Sequence, residues 1–212
     1  MGGVAVRDQS GHAGGGQRRH GAELQRAIFD AVFAELSEVG FARMTMDSVA
    51  LAAHTGKAAL YRRWGNKKEL VLDALSSVLP SPYDVELTGH VRDDLIALLS
   101  CIRRAADATR AGAFHAMAVE GDGDCRKLFD QRVLRPCKEL IAEVLRQGAA
   151  RGEVASEAAD PLVAAAGPAL LADHILTEGT AIPEDLVVSV VDRVLLPLTA
   201  ATGVRGGDAP GQ

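Results

Sequence analysis

Aromatic residues are scarce in this 212-residue chain: one Trp, two Tyr and five Phe, 4% of the whole. The apolar content is 48% and comes mostly from Ala, Leu and Val. Ala and Leu favour helices, and the shortage of aromatics and Ile argues against a strand-rich fold. Only three cysteines occur, Cys101, Cys125 and Cys137. Their number is odd, their spacing wide and no CxxC pair is present. That excludes a disulfide framework and a zinc site, and fits small buried thiols in a reducing cytosol. No apolar run approaches the ~20 residues needed to span a bilayer. The N-terminal stretch also lacks the apolar core of a secretory leader, so a cytoplasmic location without a membrane partner is expected.

Motifs of chemistry are missing as well. Gly56-Lys57 is followed by Ala58 and has no glycine five residues ahead of it, so there is no phosphate loop. Neither HExxH, GxSxG nor a Cys/His pair at useful spacing occurs, which counts against an enzyme. Glu120, Asp122 and Asp124 form an acidic knot without the spacing of a calcium loop. No cofactor, metal site or catalytic residue is expected.

A basic excess is absent too, since the formal net charge is −5. Its distribution is more telling. Residues 1–77 carry 10 Lys/Arg against 8 Asp/Glu, and the remainder carries 13 against 20. Between residues 54 and 68 lie Lys57, Arg62, Arg63, Lys67 and Lys68 with no acid among them. Charge acts at a phosphate backbone over about 10 Å, so a local cluster matters more than the total.

What is there reads as helix throughout. Residues 1–19 are rich in Gly, end in a basic pair and read as a disordered tail, as do 202–212. Helical spacing of Leu24, Ile28, Ala31, Val32 and Leu36 predicts a helix over 22–39, ended by Gly40. Thr45 offers an N-cap for a short helix to about Ala53. A three-residue turn, His54-Thr55-Gly56, leads to a second short helix over 57–64, and a fourth helix spans 67–79. Further helices are predicted over 91–109, 112–120, 124–150 (kinked or split at Pro136), 161–176 and 184–198. The chain is therefore read as all-α with about nine helices. Residues 20–66 form a first domain, and 67–201 a second one with 67–79 as its connector.

The segment Thr45–Leu70 is the informative one. Two helices of about eight residues joined by a tight turn cannot bury themselves alone. Val49, Ala50, Ala53 and Leu60 supply small apolar contacts for a close crossing, the pattern of a helix-turn-helix whose second helix fits the major groove. Lys57 sits in the first turn of that helix, where a cation opposes the helix dipole and so calls for another reason, such as a phosphate. Tyr61 follows one turn on, with a hydroxyl for a phosphate and a ring for a sugar or thymine methyl. Ala58 and Ala59 are small enough for close approach to bases, and Arg62 and Arg63 extend the positive surface. Thr45 and Thr55 are hydroxyls at helix starts, where a phosphate is readily held. Trp64 is read as packing between helices.

These residues resemble the DNA-binding signature of the TetR family. The matching positions are Thr45, Val49-Ala50, Lys57, Leu60-Tyr61, Arg62-Arg63, Trp64 and Lys67-Lys68-Glu69-Leu70, over about 30 residues. Three positions depart from the commonest pattern: His54 replaces the turn Gly, Gly56 the Ser before Lys57, and Ala59 the Thr before Leu60. The resemblance implies a homodimeric repressor that binds double-stranded operator DNA through Thr45, Thr55, Lys57, Ala58, Tyr61, Arg62, Arg63 and Lys67. It implies a dimer interface on the last two helices, through Leu170, His174, Val187, Val190, Val191, Val194 and Leu198. It also implies a small-molecule effector, read as apolar, in a pocket drawn from Leu75, Leu99, Ile102, Phe114, Met117, Phe129, Val133 and His174. Two other readings are an architectural DNA-binding protein without an effector and a helical enzyme.

Overall fold

The computed structural model describes residues 21–109, 123–178 and 181–200, and among these every regular element is helical. The helices form eight rods among the described residues; the expected helix 112–120, with Phe114 and Met117, lies outside them.

The first four helices share one core. α1 (Ala22–Arg43) buries Ile28, Phe29, Val32, Phe33 and Leu36. Its helical backbone breaks at Gly40, whose φ of 79° suits the residue without a Cβ, and the chain adds a last turn before Met44. α2 (Met46–Ala52) and α3 (Lys57–Tyr61) lie across it. α4 (Lys67–Val78), expected as a connector, buries Leu70, Val71, Ala74 and Leu75 in this same core.

A second core is built by the longer helices. α5 (Val91–Ala108) is buried along Leu95, Leu98, Leu99, Cys101 and Ile102. Its start is tied down by Asp94, only 3% exposed, whose carboxylate accepts from the Thr88 N–H, the Thr88 hydroxyl and the Gly89 N–H at 2.6–3.0 Å. The rod opposite runs from α6 (Asp124–Phe129) through one wide π turn, Asp130–Leu134, into α7 (Arg135–Arg151). α7 approaches α5 closely at Gly148, where a Cβ would stand 2.3 Å from a methyl of Val91. α8 (Pro161–Glu178) crosses with Gly167 against Leu99 and Leu195. The last rod comprises α9 (Glu184–Val190), a π turn at Val191–Leu195 and α10 (Leu196–Thr199).

Pro136 neither splits nor stops its helix, and the reason recurs at Pro197. A helical proline lacks an N–H and crowds the carbonyl four residues back. Each of these prolines stands two residues beyond a π turn. The residue just before it donates five residues back, Arg135 to the Asp130 carbonyl and Leu196 to the Val191 carbonyl. The widened turn makes room where a regular turn would clash.

α6 joins the two cores. Cys125 and Leu128 pack into the first, Phe129 into the second. Asp124 pairs with Lys68 at the start of α4, and Arg132 reaches the Ser76 carbonyl and hydroxyl near its end, at 3.3 and 3.1 Å.

Candidate nucleic-acid interface

The pair α2–α3 is set by local hydrogen bonds. Thr45, in extended backbone, accepts the Ser48 N–H on its hydroxyl at 3.0 Å, and the Ser48 hydroxyl accepts the Thr45 N–H at 3.2 Å. This reciprocal cap closes the first turn of α2. The C-terminal end of α2 is a Schellman turn: the Thr55 N–H reaches the Ala50 carbonyl at 2.9 Å and the His54 N–H the Leu51 carbonyl at 3.0 Å. That turn needs one left-handed residue, and His54 supplies it at φ 52°, where glycine would fit without strain. Gly56 then serves as the N-cap of α3, without a side-chain bond. α3 proper ends at Tyr61 rather than 64. Arg62, Arg63 and Trp64 still donate back into it, so they close its last turn.

Two faces result. Inward, Val49, Ala50, Ala53, Leu60 and Trp64 are buried. Trp64 packs 5.9 Å from the Phe29 ring and donates from Nε1 to Asp73 at 2.9 Å, tying the end of α3 to α1 and α4. Outward, Lys57, Ala58, Tyr61, Arg62 and Arg63 are exposed, as is Thr45, while Thr55 is half-buried. Lys57 and Tyr61 are one turn apart, with the ammonium 5.8 Å from the ring. Arg63 lies 6.0 Å over Trp64.

Lys57 does not stand alone: its ammonium binds both oxygens of Asp47 on α2, at 2.7 and 2.8 Å. This hydrogen bond raises the ammonium above its ordinary pKa, so it is a full cation at neutral pH. Asp47 and Ser48 escaped the sequence reading. The capping spacing from Thr45 to Ser48 could have found the second, whereas pairing of Asp47 with Lys57 needs the crossing angle of two helices.

Lys67 is placed differently from the other cations. It is half-buried, and its ammonium donates to the carbonyls of Phe41, Ala42 and Met44 at 2.7, 3.1 and 3.0 Å, lying 4.7 Å from the Phe41 ring. All three donors are thus spent on the C-terminal end of α1.

The residues expected at a pocket scatter. Leu75 belongs to the first core; Leu99, Ile102 and Val133 fill the second. A cavity of about 360 Å³ does lie beside α6, lined by Phe129, Leu134, Ala172, Ile175 and Leu176 with Arg126, Lys127, Asp130, Gln131 and Arg135 at its polar edge. Of the expected residues that the structure describes, Phe129 reaches it. A more open groove of about 410 Å³ runs between α8 and α9. It gathers Leu170, His174, Val190 and Val194 from the expected dimer surface, while Val187 and Val191 are buried beneath and Leu198 stays half exposed.

Comparison with known proteins agrees with this geometry. Residues 28–74 match the model of bacterial regulatory proteins of the tetR family, and residues 85–194 match a tetracyclin repressor-like C-terminal domain. A DNA-binding transcriptional repressor, TetR, of Mycobacteroides abscessus is 32% identical over 181 residues, covering 84% of this chain and 95% of its own. An HTH-type transcriptional regulator of Mycobacterium tuberculosis is 33% identical over 171 residues, 79% and 84% of the two chains. Among solved structures, the fatty acid degradation regulator FadR of Bacillus halodurans superposes with a TM-score of 0.64 at 17% identity, over 89% of this chain and 99% of that one. A transcriptional regulator of Rhodococcus sp. Rha1 does so at 0.56 and 18%, over 82% and 95%.

Proposed function

The chain belongs to the TetR family of bacterial transcriptional regulators, DNA-binding proteins rather than enzymes, and on that premise we propose that it is a cytoplasmic repressor that binds a palindromic operator as a homodimer and leaves it when a small apolar molecule binds. The observation that carries the reading is the outward row Lys57, Ala58, Tyr61 and Arg62 on a helix anchored from below by Leu60 and Trp64. Small Ala58 lets α3 sit deep in a major groove; Lys57 and Arg62 meet phosphates on either side; Tyr61 reaches backbone or a thymine methyl. Thr45 and Thr55 add hydroxyls at the two helix starts. Lys67, committed to three carbonyls, braces this head instead of touching DNA.

The second copy would dock on the groove between α8 and α9, through Leu170, His174, Val190 and Val194. Two heads then face half-sites one helical turn apart, about 34–36 Å. The effector would occupy the cavity beside α6. One side of α6 lines that cavity and the other grips α4 through Cys125, Leu128 and the Asp124–Lys68 pair. A ligand that favours one position of α6 thereby favours one head spacing, provided it binds the two states with different affinity.

Footprinting on the gene's own upstream region tests the reading. Lys57→Ala and Tyr61→Ala should each weaken operator binding, the first lowering the salt slope by about 1, while light scattering still shows a dimer. Wild-type binding by both variants, or a monomer in dilute buffer, would overturn it.

A further inference from the structure

Among the described residues, the charge lining the cavity beside α6 is mostly positive. Its apolar wall is Phe129, Leu134, Ile175 and Leu176, with Phe129 and Ile175 almost fully buried. Among the described residues its polar edge holds Arg126, Lys127 and Arg135 against one carboxylate, Asp130. Asp130 is already matched by Arg135, which it meets with one guanidinium nitrogen at 3.2 Å. A guanidinium offers five donors, so most of Arg135 remains available. Lys127 is tied to Asp124 at 3.2 Å. Arg126 is exposed, one turn before Asp130, and makes no ion pair among the described residues. A cationic ligand would meet no free carboxylate among the described lining residues. A purely apolar one would leave Arg126 idle beside it.

We infer that this cavity takes an amphiphilic carboxylic acid, its chain along Phe129, Leu134, Ile175 and Leu176 and its carboxylate at Arg126 and Arg135. The inference rests on the cavity's being the effector site and replaces a wholly apolar effector with one that is apolar along its chain and negatively charged at one end. The volume of about 360 Å³ lies within the ~300–1,000 Å³ of small-molecule clefts, at the end that suits a slim chain. The apolar wall supplies most of the affinity by area, and the arginines select the anion, since guanidinium meets carboxylate in a two-pronged geometry that an alcohol cannot match.

The test is calorimetric titration of the full-length protein with decanoate, decanol and decyltrimethylammonium below their micelle concentrations. Decanoate is expected to bind about tenfold more tightly than decanol, and the ammonium compound more weakly than either. In Arg126→Gln/Arg135→Gln the preference for decanoate over decanol disappears with decanol binding unchanged. In Leu134→Trp, which fills the cavity, both lose binding. Equal affinity for decanoate and decanol in the wild type, or a preference that survives the double substitution, overturns the charge assignment and leaves the cavity as an effector site. Binding of neither, or binding undiminished in Leu134→Trp, overturns the charge assignment together with the placement of the effector.

Discussion

Replacing Lys67 with Met separates two roles that a lysine at the start of α4 could play. Met keeps the apolar stem against Phe41 and removes the ammonium. What is lost is three hydrogen bonds at 2.7–3.1 Å to carbonyls of Phe41, Ala42 and Met44 and the contact with the Phe41 ring. A hydrogen bond to a charged group contributes about 1.5–3 kcal/mol. Lys67 is only half-buried, so water replaces part of what is removed, and bonds sharing one donor do not add. A loss of about 2–3 kcal/mol is expected, which at ordinary urea slopes moves the unfolding midpoint by about 1 M. The second measurement is operator affinity as a function of salt. A lysine that neutralises a phosphate contributes about 0.9 to the slope of log affinity against log salt. As a brace, Lys67 contributes nothing to that slope, so Lys67→Met should bind the operator with the wild-type salt dependence at temperatures where it is folded. A variant as stable as the wild type, with a slope lower by about one phosphate, would refute the reasoning.

Gly148→Ala should be destabilising although alanine is the better helix former. The new Cβ falls 2.3 Å from the Val91 methyl and 3.4 Å from that of Val154. Overpacking costs about 1–3 kcal/mol, against a gain of about 1 kcal/mol in helix propensity. Denaturant titration should therefore give a net loss, and a smaller one when Val91 is also cut to Ala; a stabilised single variant contradicts the close contact. Acid stability should follow three carboxylates, half-buried Asp124 and exposed Glu153 and Asp192, whose pKa values are held below the usual range: Asp124 by Lys68 and Lys127, Glu153 by Arg151 and the Val91 N–H, Asp192 by Arg92. Depressed carboxylates stabilise above their unfolded values of about 4. The contribution is lost as pH falls through the lower folded values. Thermal midpoints should hold from pH 7 to 5 and fall below about 4. In Arg92→Gln, which frees Asp192, the difference from wild type should shrink over that fall; a difference that grows there would be the wrong sign.

The reading head was legible because its bonds are short in sequence. Thr45 caps Ser48, Thr55 closes on Ala50, and Gly56 opens α3, all within five residues. Helical spacing and Gly40 placed α1 as well. His54 shows the limit of residue preference: the turn takes a left-handed residue there because the Schellman bonds and the buried Ala53 and Leu60 on either side fix it. The wide turns ahead of Pro136 and Pro197 were not foreseen, because a proline announces a lost bond without saying how the helix accommodates it.

Local sequence suffices to show that the chain is helical, where the short helices cap and turn, and which side chains of α3 point away from its apolar stripe. Those properties follow from one to five residues of chain, through backbone geometry and spacing. The packing of distant helices puts Lys67 on carbonyls more than twenty residues behind it, Leu75 in the first core, and the cavity between residues 126–135 and 172–176. An apolar stripe states that a face is buried, and a lysine states that a charge is present. Which partner each meets depends on how distant helices cross, and no local preference encodes that.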